Sequence, residues 1–168
     1  MGDLAGLKTH PLAKQYPCRV PVWWGRYGDV EKDPVERGVS GRKVVLRIPK
    51  TFGRIEGFFA KWLRAPREVR RPLDSMNSLL WELADGSRTF SEICERLDAT
   101  FHESIAPVIH RTAAAIALMQ SQQLMLVLES PLENRWYVGP GKTPEHQQLA
   151  PLDESLSIDA SRRPDEAP

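Results

Sequence analysis

The chain has little of what usually announces a chemistry. Cys18 and Cys94 are the only cysteines in 168 residues, far apart and without the close spacing of a metal knuckle. A reducing cytosol suits both, and Cys94 falls where a helix would bury it. The histidines, His10, His102, His110 and His146, are scattered, and no His, Cys, Asp or Glu group has metal-ligand spacing. Charge of one sign is also missing: 23 Lys and Arg against 22 Asp and Glu leave a net +1. That excludes a global attraction to nucleic acid or to an anionic membrane, so an electrostatic partner must be met by a local patch. The opening "MGDLAGLKTHPLAKQYP" lacks the apolar run of a signal peptide, and no stretch approaches the roughly 18 apolar residues of a membrane span. The expected address is cytoplasmic. There is no G-x-S-x-G elbow, and "GPGK" at 139–142 lacks the rest of a phosphate-cradling loop. Glu103 and His110, the nearest thing to a base and its orienter, fall on the polar side of a helix and its approach. No cofactor, no metal and no catalytic residue is expected.

What is present is a pattern of elements. Residues 1–18 and 130–168 read as tails, the first aperiodic and the second rich in Pro, Asp, Glu and Ser. Within the second, Trp136, Tyr137 and Val138 are the residues expected to lie back on the domain, as a loosely docked extension. The domain itself spans 19–129. "RVPVWWGRY" (19–27) and "RKVVLRIP" (42–49) carry the β-branched and aromatic enrichment of strands. "PREVRRPL" (66–73) is a third strand, with Val69, Arg71 and Leu73 alternating against Glu68 and Arg70. Pro72 cannot donate to a ladder, which places this strand at a sheet edge.

Helices follow. Asp74 caps "SMNSLLWELA", which ends at the left-handed stop Gly86. Thr89 and Glu92 form a capping box for "FSEICERLDATF". Ser104 is expected to cap a third helix running to about Gln123, with Pro107 in its first turn and "LMLVLE" (124–129) following as a short strand. Two features stay open. Arg64, Arg67, Arg70 and Arg71, with Lys50, Arg54 and Lys61 before them, form the one local basic patch; it is either a charged edge that discourages sheet pairing or a site for an acidic partner. "FGRIEGFFAKWL" (52–63) puts Phe52, Ile55, Phe59, Trp62 and Leu63 on one helical face, to pack on the domain or to make peripheral contact with a membrane surface.

The run "LDSMNSLLWELADGSRTFSEICERLDATF" resembles the PqqD-like family of peptide-recognition proteins, also called RiPP recognition elements. The Asp85-Gly86 turn, Thr89, Glu92-Ile93 and Leu97 match that family's "DG-x-x-T-x-x-E-I" run in place. The resemblance is firm over 68–128, looser over 19–64 and absent from both tails; Pro72 and the insertion carrying 52–63 depart from it. It implies an α+β, winged-helix-like fold in which three antiparallel strands pack on three helices. It also implies a non-catalytic adaptor that captures the leader of a ribosomally made precursor peptide by β-augmentation and presents it to a modifying enzyme, often a radical SAM enzyme. On that reading the peptide lies along Val69, Arg70, Arg71 and Leu73, against Arg111, Ala114, Ala115, Leu118 and Gln122 of the third helix.

A winged helix-turn-helix DNA-binding regulator is the alternative. A recognition helix should offer Arg, Lys, Asn or Gln near its N-terminus, whereas this one opens "SIAPVIHR", mostly apolar. Nucleic acid is therefore the less expected partner.

Overall fold

The computed structural model describes residues 4–31, 36–49, 68–145, 147 and 149–166. Their strands are β1 (Tyr16–Arg19), β2 (Trp23–Tyr27), β3 (Lys43–Pro49), β4 (Glu68–Pro72) and β5 (Met125–Leu128), and their helices are α1 (Ser75–Leu83), α2 (Phe90–Phe101) and α3 (Val108–Ser121). The architecture is mixed α+β, as the sequence pattern implies. Strands β2, β3 and β4 form an antiparallel sheet in that order, and β1 pairs with β5 in a separate antiparallel ribbon.

Strand alternation decides what the sheet shows the helices. Opposite residues share a face, so the register Trp24↔Leu46 and Arg26↔Val44 turns these four side chains to one side. There Trp24 meets Trp81 of α1 edge-on, ring centroids 6.4 Å apart. Leu46, Leu80, Leu83, Phe90, Ile93, Leu97 and Ile116 complete one buried cluster. Local chemistry sets the helix starts. The Asp74 carboxylate accepts from the Asn77 amide at 2.7 Å, and Thr89 and Glu92 close a reciprocal capping box, which satisfies amides that a first turn otherwise leaves unpaired.

Several expectations shift. The stretch 19–27 is not one strand. Pro21 lies in the break between β1 and β2, where the chain leaves the ribbon for the sheet; Pro has no amide to give either ladder. Ser104 does not cap α3. Its hydroxyl donates to the Phe101 carbonyl at 2.6 Å within a 3-10 turn, His102–Ile105, and α3 starts after Pro107, the residue at its N-cap position. The two ends expected as tails contribute structure among their described residues: β1 begins at Tyr16, Leu7 and Ala13 are buried, and Val138 and Glu166 are buried too. The run 52–63 lies outside the described residues.

Gly86 joins three parts of the chain. Its φ is +81°, and a Cβ there would come within 2.6 Å of the Leu132 Cβ and 3.0 Å of Cys18 Sγ. Only glycine combines that backbone with that approach. Around it the Arg19 amide donates to the Ala84 carbonyl at 2.8 Å, and the Leu132 amide to the Gly86 carbonyl at 3.0 Å. The Asp-Gly turn between α1 and α2 is thus where β1 and the chain after β5 are tied down.

Candidate functional site

β4 is an edge strand, and its register settles which backbone groups are spoken for. The Leu73 amide donates to the Val44 carbonyl at 2.8 Å, and Ser78 Oγ sits across the reciprocal position, accepting from the Val44 amide at 2.9 Å and donating to the Leu73 carbonyl at 3.2 Å. Antiparallel ladders alternate hydrogen-bonded and open pairs. With Leu73 bonded to Val44, the next pair, Pro72↔Val45, is open, as is Arg70↔Arg47. Pro72 therefore stands where the ladder to β3 asks for no donor. Arg70 turns its amide and carbonyl outward, away from the sheet, and no backbone group among the described residues bonds to them.

On the side facing the helices, β4 presents Val69 beside Ile48 and Arg71 beside Leu46. Val69 is 46% exposed, and Leu118 on α3 is 53% exposed. Among the described residues Val30, Leu126 and Leu156 are exposed as well; what sets Val69 and Leu118 apart is their place, on the helix-facing side of the edge strand and on α3. The Arg71 guanidinium donates to the Gln122 side-chain carbonyl, which joins the end of β4 to the end of α3. Arg111 is exposed and donates to the Ser104 carbonyl at 2.7 Å. Ala114 is exposed, and Ala115 is half-buried, packed on the core. Arg111, Ala114, Ala115, Leu118 and Gln122 follow at helical spacing along one side of α3.

Leu73 is the exception among the expected site residues. It is buried in the core cluster, and its amide is held by β3, so it supports the edge from beneath and offers a ligand nothing. Glu103 and His110 are both exposed, and no group of three or more His, Cys, Asp or Glu able to hold a metal exists among the described residues. Among those residues no helix is long and apolar enough to cross a membrane.

A second set of residues was not expected from the sequence: a buried charge network behind β2. Arg26, 2% exposed, lies over the Trp24 ring at 4.7 Å. Its Nε donates to Glu82 of α1 at 2.8 Å and its Nη2 pairs with Glu166. Glu82 also accepts from the Ser40 amide at 2.9 Å. On the other side, Arg19 donates to the carbonyls of Val138 at 2.6 Å and Trp81 at 2.7 Å. Burial pulls its guanidinium below the ordinary value, since water no longer solvates the charge. A cation among the final carbonyls of α1 is placed to favour that helix end.

The C-terminal segment closes over this network. The amides and carbonyls of Arg26 and Asp159 exchange hydrogen bonds of 2.8 and 2.7 Å, and the Gly141 amide donates to the Trp24 carbonyl at 2.9 Å. Ile158 packs where a Cβ on Gly25 would stand, 2.6 Å from Cγ2, and Arg47 donates to the Ala150 carbonyl at 2.5 Å. The signal for all this was present but weak: Arg26 inside "WWGRY" and Glu82 inside "LLWEL" are charges in otherwise apolar elements, and buried charges demand partners. No protein-family model, no curated protein and no solved structure matches the chain.

Proposed function

We propose that the protein is a non-catalytic peptide-binding adaptor, taking an extended peptide onto the free edge of β4 beside α3 and presenting it to a modifying enzyme. The observation that carries this reading is the coincidence of outward-facing Arg70 backbone groups with exposed Val69 on β4 and exposed Leu118 on α3, two elements that the Arg71–Gln122 hydrogen bond joins. Main-chain pairing supplies affinity in such a mode, and alternate side chains dropping into a groove supply specificity. The likeness of 68–128 to PqqD-like proteins supports a precursor-peptide leader as the ligand and a modifying enzyme, of the radical SAM kind in many such systems, as the recipient. Pro72 restricts the pairing: the incoming strand receives one donor fewer at that end and is expected to centre on Arg70.

The DNA-binding alternative has less behind it. α3 opens with Val108 buried and Ile109 half-buried, and the Arg111 side chain is turned back to Ser104.

Selection of displayed random short peptides on the full chain tests the proposal. Peptides that bind the wild type and are lost on Leu118→Asp support it. Enrichment indifferent to Leu118→Asp and to Val69→Asp contradicts it.

A further inference from the structure

The side of α3 beside the end of β4 also has a charge character, and this inference rests on the reading just given. The helix α3 has the sequence VIHRTAAAIALMQS: one arginine, one histidine and no carboxylate. On β4, Arg71 stands on the helix-facing side, whereas Arg70 lies on the opposite face with Arg47, near Asp153. Elsewhere Arg26, Arg42, Arg88 and Arg96 meet carboxylates of the same chain. Arg71 and Arg111 do not: among the described residues their partners are the neutral Gln122 amide and the Ser104 carbonyl. Guanidinium groups without a carboxylate partner are thus tied to both ends of this side of α3, Arg111 near its start and Arg71 at Gln122, and Leu118 lies between those positions along the helix.

We propose that the peptide this edge accepts is acidic, with an aliphatic side chain placed between two carboxylates at alternate positions of an extended strand. The spacing follows from the two periodicities. Arg111 and Gln122, the anchor of Arg71, lie eleven residues apart on α3, about 16 Å at the helical rise. A strand advances about 3.3 Å per residue, so two positions four residues apart span about 13 Å, and the length of an arginine side chain takes up the remainder. The residue midway falls on the same face and meets Leu118. The pattern is acid, any, aliphatic, any, acid. Carboxylates at the two ends would form charge-assisted hydrogen bonds with guanidinium donors, and because the cations are solvent-accessible, the interaction steers and selects more than it holds.

The test uses labelled synthetic peptides with a Glu-Thr-Leu-Thr-Glu core or a Lys-Thr-Leu-Thr-Lys core, titrated against the full chain by fluorescence anisotropy. The acidic core is expected to bind about tenfold more tightly than the basic one. Its affinity should fall as salt rises through the range where the Debye length shrinks below about 10 Å. Arg71→Glu with Arg111→Glu should reverse the preference, with circular dichroism confirming the fold. The salt response needs no variant and stands even where the double substitution perturbs folding. Equal or tighter binding of the basic core, or Leu118-dependent selection of neutral or basic peptides, overturns the charge assignment and leaves the adaptor reading intact. Failure of both cores together with no Leu118-dependent selection overturns both.

Discussion

The central sheet has two edges, and the molecule treats them in opposite ways. At β2 the chain's own C-terminal segment completes the pairing: Asp159 bonds both backbone groups of Arg26, Gly141 takes the Trp24 carbonyl, and Glu166 reaches into the charge network beneath. At β4 nothing among the described residues pairs outward. That edge is guarded by Arg70, Arg71 and Pro72, which discourage indiscriminate strand addition without removing the backbone groups. Pairing closes an edge to everything, whereas charge and a proline leave it open to a ligand that answers the charge. On the proposed function the two edges have different work, structure at β2 and recognition at β4.

The largest expected effect comes from breaking the covered side. Arg26→Ala leaves Glu82 and Glu166 buried without their cation, and losing one partner of a buried pair costs about 3–5 kcal/mol. Denaturant titration should show that loss in the unfolding midpoint. A milder lever is Gly25→Ala, whose methyl would press on Ile158 and Asp159; overpacking of this kind costs about 1–3 kcal/mol. Amide exchange should then quicken most at Arg26 and Asp159, whose backbone groups bond each other, and less at Arg70, whose backbone bonds nothing in that segment. Thr89→Ala, remote from both edges, should cost about 1 kcal/mol through the lost cap and change exchange at neither.

The thiols and one carboxylate sharpen the contrast further. Burial pushes both Cys18 and Cys94 up to about 12, so at mildly alkaline pH both stay protonated and resist thiol reagents in the native state. Cys18 lies in a small cluster with Leu132 and Val138, whereas Cys94 belongs to the main core. Leu132→Ala should accelerate labelling of Cys18 ahead of Cys94. The smallest effect concerns Asp159, whose carboxylate is held below the usual range by hydrogen bonds from the Ser161 hydroxyl and amide. A depressed native value contributes stability above the unfolded value of about 3.9 and loses it as pH falls through the native one. Asp159→Asn should therefore flatten the acid limb of the melting profile, and only there.

How much of this was legible in the sequence depended on how local each signal was. Thr89 and Glu92 announce α2 because both halves of the capping box lie within one turn. Asp74, the alternation of β4 and the edge position of Pro72 were legible for the same reason. The start of α3 was misplaced because Ser104 and Pro107 each offer a helix start, and the chain uses a 3-10 turn between them. Leu73 continued the alternation of Val69 and Arg71 but fell into the core, since the side facing the helices is buried at its end next to α1 and open further along. The cover over β2 was hidden because its partners, Arg26 with Glu166 and Gly25 with Ile158, are more than a hundred residues apart. A segment rich in Pro, Asp and Ser looks like a tail until the buried arginine it serves is recognised.

The central claim is that β4, not β2, is the edge that takes a ligand. Hydrogen–deuterium exchange of the full chain, with and without a saturating selected peptide, tests it most directly. The account predicts slowed exchange at the Arg70 amide with Arg26 unchanged; slowed exchange at β2 or around Trp136 and Tyr137, with Arg70 unaffected, would contradict it.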